Sequence, residues 1–287
     1  MKKNILYFSL SLLLVSVSCQ VEGVNKKKEI ALDENQGLPA VTSSSKNKSL
    51  QPTASKTVQL FKNGVKIKWF QRGEGPQLQK EDVVAINFQV LLLNGDLVDG
   101  NELLRKPFLP FLVGYGMQTK GWDFAFTHLK VGDFVEIYLP AALARGKYGV
   151  KGLIPPNSPN ILRVKILKKI TPTRVDSGVK IWLLEENTSE KLLASEKTEV
   201  TFHYVVGTPN NPRYDISYRR NTPYRLRFSD FGIVKGLKKA LINAKRSDKI
   251  WVVVPPEMAY GSKGLLDLVK PNEPIFYDIF VENVTKI

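Results

Sequence analysis

The side chains best equipped for covalent or metal chemistry are scarce in this chain. There is one cysteine, Cys19, and there are two histidines, His128 and His203, in 287 residues. A zinc centre draws its ligands mainly from thiolate and imidazole, and a histidine-driven hydrolase needs a nucleophile, a base and an orienting acid together. Neither is expected from this inventory. A lone cysteine also excludes an intramolecular disulfide framework and a Cys-x-x-Cys metal site. His128 and His203 read as ordinary residues of a helix and a strand, and the expected chemistry needs no nucleophile–base pair. What does recur is a set of aromatic and acidic residues. Tyr148 and Tyr260 each precede a glycine, Asp99 stands in "LVDG", and Asp215 stands in "YDIS". Phe88 closes "VVAINF", Tyr204 closes "VTFHY", and a proline–aromatic step follows in both places, Pro107-Phe108 and Pro223-Tyr224. A turn aspartate or a turn tyrosine is the plain alternative for each; their repetition favours a site.

The elements that must hold these residues also recur. The tetrapeptide GVKI occurs at 64–67 and 178–181, an offset of 114 residues. Asp133 and Asp248, Pro140 and Pro255, Gly121 and Gly236, and Pro156-Asn157 and Pro271-Asn272 lie 115 apart; Asp99 and Asp215 lie 116 apart; Tyr148-Gly149 and Tyr260-Gly261 lie 112 apart. Colinear matches across the whole unit indicate a duplication. Two tandem domains are expected, 57–170 and 174–287, joined at Thr171-Pro172-Thr173. In each, a strand carries GVKI, and an aromatic-ended strand, the aspartate and the Pro–aromatic step follow. One amphipathic helix comes next, with Trp122, Ala125, Phe126 and Leu129, or Leu237, Ala240, Leu241 and Ala244, on its apolar face. A strand to the shared proline, a Tyr-Gly loop and a final strand complete the unit. In "IFYDIFV", Ile275, Tyr277, Ile279 and Val281 share one face. Antiparallel strands around one short helix predict an α+β half-barrel.

The first 56 residues read differently. Met1-Lys2-Lys3-Asn4, an apolar run from Ile5 to Val17 and small residues before Cys19 form a secretion signal over 1–18. The run is shorter than the roughly 20 apolar residues a membrane span needs. The position of Cys19 resembles a bacterial lipoprotein signal, with acyl chains on Cys19 as the anchor. The polar stretch 19–56 cannot bury enough apolar surface to order itself and reads as a tether with a mean reach of roughly 35 Å. The balance of 42 Lys+Arg against 27 Asp+Glu gives +15. With Lys26-Lys27-Lys28 as the one tight cluster and no basic stripe with interleaved aromatics, a solvated lysine surface is expected rather than nucleic-acid binding.

Taken in order, the aromatic-ended strand, the aspartate, the Pro–aromatic step, "KGWDFAFTHLKVGD", "KYG" and "GLIPPN" resemble the FKBP-type peptidyl-prolyl isomerases. So do "HYVVG", "IVKGL", "AYGSKG" and "PNEPIFYDI" in the second unit. Together they cover nearly everything after the tether. The resemblance implies two FKBP-like half-barrels, each with a shallow aromatic pocket that takes a proline ring and speeds cis–trans rotation of an X-Pro bond without metal or cofactor. It implies a first pocket of Phe88, Val98, Asp99, Phe108 or Phe111, Gln118, Thr119, Trp122, Tyr148, Ile154 and Leu162. Trp122 would be the floor, Tyr148 a hydrogen-bond donor to a substrate carbonyl, and Asp99 a polarising wall. Gln118-Thr119 stands where the family has two aliphatic residues. The second pocket would be Tyr204, Tyr214, Asp215, Tyr224, Ile233, Val234, Leu237, Tyr260, Val269 and Tyr277, with Leu237 in place of the tryptophan. The expected function is isomerisation of X-Pro bonds in exported polypeptides at a bacterial cell envelope, from a lipid anchor. The alternative is a non-catalytic binding or chaperone module for Pro-containing or unfolded segments.

Overall fold

The computed structural model describes residues 57–287; the expected signal segment 1–18, Cys19 and the tether 19–56 lie outside the described residues. Two antiparallel sheets follow one another along the chain. The first contains β1 (Thr57–Leu60), β2 (Lys66–Gln71), β3 (Val83–Leu91), β4 (Leu97–Gly100), β5 (Leu109–Leu112), β6 (Phe134–Leu139) and β7 (Asn160–Lys169). A short helix α1 (Asn101–Leu104) follows β4, and α2 (Lys120–Phe126) precedes β6. The second sheet contains β8 (Arg174–Asp176), β9 (Val179–Glu185), β10 (Thr198–Gly207), β11 (Asp215–Ile216), β12 (Tyr224–Arg227), β13 (Lys249–Val254) and β14 (Ile275–Lys286), with α3 (Lys235–Leu241) before β13. Strand order is β1-β2-β6-β7-β3-β4 in one and, read the same way, β8-β9-β13-β14-β10-β11 in the other; β5 pairs β3 as β12 pairs β10. The duplication inferred from residue spacing is therefore a duplication of topology.

In each unit the helix packs on the sheet through the predicted apolar residues. Gly121, Trp122, Ala125 and Phe126 are buried on α2, and Gly236, Leu237, Ala240 and Leu241 on α3. The helices are shorter than the apolar period suggests: they end at Phe126 and Leu241, and Leu129 and Ala244 are buried in the turns beyond. The glycine that opens each helix is required by close approach. A Cβ on Gly121 would come within 2.7 Å of Leu139, and one on Gly236 would collide with Val254, at the end of the strand beneath.

The matched aspartates fix the turns. Asp133 accepts the Trp69 indole N–H at 3.1 Å and the Gly73 and Lys130 amides at 2.7 and 2.9 Å. Asp248 accepts the Asn187 and Lys245 amides at 2.9 and 2.8 Å. Both are almost fully buried, at 0 % and 2 % exposure, a burial that carboxylates tolerate only when hydrogen-bonded in this way.

Strand alternation also does something the spacing alone does not announce. On β9, β13 and β14, Ile181, Val252, Ile279 and their neighbours face the second core. The intervening Trp182, Trp251, Val253 and Phe276 face the other way and pack into the core of the first unit. The Trp182 indole donates to the Ile170 carbonyl at 2.8 Å. Lys180 pairs with Glu81 at 2.8 Å and Lys106 with Glu185 at 3.3 Å. The apolar part dominates this interface, since each buried large side chain contributes roughly 1.5–3 kcal/mol and exposed pairs about 0–1 kcal/mol.

Candidate functional site

The second unit holds an open cavity of about 480 Å³, within the range of small-ligand sites. Five tyrosines line it: Tyr204, Tyr214, Tyr224, Tyr260 and Tyr277. Strand geometry brings them together. Tyr204 lies on β10 and pairs with Ile279, while Tyr277 on β14 pairs with Val206, so the two rings stand on one concave face, 6.3 Å apart. Tyr224 on β12 sits opposite Phe202, 5.6 Å from that ring and 6.3 Å from Tyr204. Ile233, Val234 and Leu237, at the start of α3, close the bottom.

One wall is polar and internally satisfied. Tyr204 Oη donates to Asp215 Oδ2 at 2.5 Å. Arg220 donates to both Asp215 oxygens, at 3.3 Å to Oδ2, and to Tyr204 Oη at 3.1 Å. Burial alone would raise the Asp215 carboxyl, but the hydrogen bonds from Arg220 and Tyr204 outweigh it and hold it below its ordinary value of 3.8. Burial, then the bond to Asp215, pushes the Tyr204 hydroxyl up to about 12. Tyr214 and Tyr260 share a hydrogen bond, and burial raises both. Near neutral pH the cavity therefore presents the neutral phenols of Tyr204, Tyr214, Tyr260 and Tyr277 and the fixed Asp215–Arg220 ion pair.

Nine of the ten residues expected here line the cavity; Val269 does not. It is 1 % exposed and bridges to Leu265, so the loop turns its flanks, Leu265 and Leu268, to the cavity instead. Phe202 and Arg220 were missed. Phe202 was legible as the alternate residue to Tyr204 on its strand. Arg220 lies in a 3-10 turn, Ser217–Arg220, five residues after Asp215.

In the first unit the corresponding cavity is about 20 Å³, close to the volume needed for a single water. Asp99, Trp122 and Ile154 line it, with Val98, Gln118 and Thr119. Phe88 is buried beside it, 5.3 Å from Trp122, and Leu162 is fully buried. Trp122 is only 4 % exposed and packs against Phe126 and Phe111, 5.8 and 5.6 Å between centroids. It is a core residue of an aromatic cluster more than an open floor.

Two expected residues of this pocket are elsewhere. Phe108 precedes β5 and is 41 % exposed; β5 pairs Phe111 with Val84 and Leu109 with Ile86. Phe111 is thus the buried aromatic, and Leu109 holds the register that Tyr224 holds opposite Phe202. Tyr148 is 79 % exposed, with the Lys147 ammonium 5.1 Å from its ring centre. The reason lies in the loop. The 3-10 turns Gly146–Tyr148 and Gly261–Lys263 begin at equivalent glycines, both at φ 58°, and Asn157 and Asn272 each donate back to that glycine. The constant spacing of 115 therefore aligns Tyr260 with Arg145, and Tyr148 with Lys263.

Arg145 fills the place Tyr260 leaves open. It donates to Gln118 Oε1 at 2.8 Å. Burial lowers its guanidinium, and the Asp99 carboxylate partly restores it. Asp99 is raised above 3.8 by burial, against the pull of the Gly100 amide and Arg145. Leu104 stands five residues after Asp99, at the end of α1, where Arg220 stands five residues after Asp215; Arg105 comes one position later, as the left-handed cap of α1. Thr119 Oγ1 and Asn160 Oδ1 also line the cavity, buried without a protein hydrogen-bond partner. An apolar ring entering here would have to displace an arginine and leave polar atoms unsatisfied, which is unfavourable.

The profile described as FKBP-type peptidyl-prolyl cis-trans isomerase matches residues 75–167 and 191–282. The chain is 26% identical over 204 residues to the peptidyl-prolyl cis-trans isomerase FKBP10 of Mus musculus, covering 71% of this chain and 34% of that protein. It thus spans about a third of the length of that relative. It is 36% identical over 109 residues to FK506-binding protein 1 of Candida glabrata, covering 38% of this chain and 95% of that one. The crystal structure of the three FKBP domains of wheat FKBP73 aligns with 81% of this chain and 100% of its own, at 20% identity and a TM-score of 0.39.

Proposed function

The chain belongs to the FKBP-type peptidyl-prolyl cis-trans isomerase family, which it matches twice, and on that footing we propose that it catalyses X-Pro isomerisation at the second of its two pockets. The observation that carries this reading is the contrast in the cavities: about 480 Å³ walled by five tyrosines in the second domain, about 20 Å³ and closed by Arg145 in the first. The X-Pro bond resists rotation because amide resonance must be broken, at a cost of roughly 20 kcal/mol. The twisted amide has lost that resonance and the charge separation that goes with it. A pocket of aromatic and aliphatic walls favours it over the planar, more polar ground state. The proline ring would rest on Leu237 and Val234 among Tyr204, Tyr224 and Tyr277. Tyr214 and Tyr260 share a hydrogen bond; with Tyr214 as its donor, the Tyr260 O–H would be left to bond a substrate carbonyl. Asp215, fixed by Arg220 and Tyr204, forms the polar wall without needing to change protonation state. No atom of the protein is required to form a bond with the substrate.

Tyr260→Phe tests this directly. Losing one neutral hydrogen bond, worth about 0.5–1.5 kcal/mol, should lower kcat/KM for a Phe-Pro peptide by roughly two- to tenfold. Unchanged activity would remove Tyr260 from the mechanism.

The non-catalytic reading has one observation in its favour, Leu237 where the family has tryptophan. It predicts that a Phe-Pro peptide binds the second pocket without being isomerised faster. The setting we propose, a lipid-anchored protein acting on exported polypeptides at a bacterial envelope, is supported by the signal-like sequence 1–18 and the place of Cys19. Cys19→Ser should move the protein from the membrane to the soluble fraction of cells; retention on the membrane would contradict lipidation.

A further inference from the structure

The wall residues Tyr214 and Asp215 begin where the two domains touch. The loop before them runs from Gly207 to Arg213. At one end it is tied within its own domain: Asn210 donates through its amide and side chain to Glu273 Oε1 at 3.0 and 2.7 Å, and Asn211 to the Leu268 carbonyl at 3.1 Å. At the other end it is tied to the first domain. The Arg213 guanidinium donates to the Met117 carbonyl, and Pro212 lies against Gly116, where an added Cβ would come within 2.6 Å of the ring. The first-domain side of this contact is itself fixed. Asp123 on α2 accepts the Gly114 and Gly116 amides at 3.0 and 2.8 Å, and Met117 is followed directly by Gln118 and Thr119, which line the first cavity. A second contact runs alongside, with the Tyr115 ring 6.0 Å from Phe276, the neighbour of Tyr277.

Arg213 holds an unfavourable backbone conformation to do this. Its φ is 59°, a left-handed geometry that disfavours residues other than glycine and persists where surrounding structure enforces it. Burial of its guanidinium, next to Arg145, is also unfavourable. A strained, half-buried arginine that reaches a carbonyl of the other domain, one residue before the pocket wall, points to a positioning role.

We propose that Arg213 makes the first domain a brace for the second pocket, holding Tyr214 and Asp215 in the geometry that binds and turns the X-Pro bond. The proposal rests on the reading that the second pocket is the working one. The closed domain then has a use: it is the support against which the open pocket is set, and ligand in the second pocket is felt at Met117.

Two methionines report on the two halves of this claim. Met258 packs against the second core close to Tyr260, and Met117 is buried in the first. The full chain, labelled with methyl-13C methionine, is titrated with a blocked Ala-Phe-Pro-Phe peptide and followed by NMR. The methyls of Met258 and Met117 should both shift, with one saturation curve. In Arg213→Ala, Met258 should still respond, Met117 should not, and kcat/KM should fall roughly ten- to a hundredfold, the loss expected for a displaced positioning contact. Arg213→Lys, which keeps a donor for the Met117 carbonyl, should recover part of both signals. Gly116→Ala strains the same contact from the first-domain side and should lower kcat/KM in the same way. A response at Met258 without one at Met117 in the unmodified protein overturns the brace, as does full activity in Arg213→Ala. Silence at both methyls with no acceleration overturns the working-pocket reading, and the brace with it.

Discussion

At the position before the loop glycine the first domain has Arg145 and the second has Tyr260, and much of the difference between the two sites follows from that exchange. Tyr260 joins the cavity wall and bonds Tyr214. Arg145 reaches Gln118 and sits near Asp99. The paired aspartates differ in sign for a separate reason, the hydrogen bonds that Arg220 and Tyr204 give Asp215 and that Asp99 lacks. Asp215 is depressed below 3.8 by Arg220 and Tyr204 against burial, so its contribution to the wall is present above that value and is lost as pH falls through the lower folded value. With Tyr204 raised to about 12, activity should stay level from pH 5 to 9; an inflection within that window, in a plot of kcat/KM against pH, would show that another group titrates. Asp99 is raised by burial, so its protonated form is the one the fold prefers, and that preference is lost as pH rises through its folded value. Asp99→Asn should therefore raise the melting temperature at pH 7 and leave isomerase activity unchanged; a lower melting temperature would mean that the charge itself is needed by the Gly100 amide and Arg145.

The elements were largely legible in the sequence, and the site only in part. Offsets of 114–116 residues identified strands, helix and turns because strand period and close helix packing constrain residue types at fixed places: glycine at 121 and 236, aspartate at 133 and 248. The second pocket was legible because its residues lie on regular strands and the helix start. Errors arose where local similarity outran register. Tyr148-Gly149 looks like Tyr260-Gly261, yet the 3-10 turns align Tyr260 with Arg145. Phe108 looks like Tyr224, yet β5 pairs in a register that buries Phe111. The domain contact was not anticipated, because Trp182, Trp251, Val253 and Phe276 read as ordinary strand residues until both faces of the sheet are known to be covered. Trp182→Ala removes a side chain that is 3 % exposed and its bond to Ile170. It should cost about 3–5 kcal/mol and split a single urea transition into two; one unshifted transition would show that the interface contributes little.

As a whole molecule the protein combines two copies of one topology with unequal sites. Duplication preserved the sheets and the helix, while one pocket filled with Arg145, Gln118 and polar residues and the other kept an aromatic enclosure. A closed copy packed against an open one gives a larger buried core than either domain has alone. The central claim is that isomerisation belongs to the second pocket. The most direct test is NMR exchange of a Phe-Pro peptide with the full chain, unmodified and carrying Tyr260→Phe together with Asp215→Ala. Accelerated exchange in the unmodified protein that falls by roughly tenfold or more in the double variant, which loses two polar contacts of the pocket wall, is the predicted result; acceleration undiminished in the double variant would place the activity elsewhere and contradict the account.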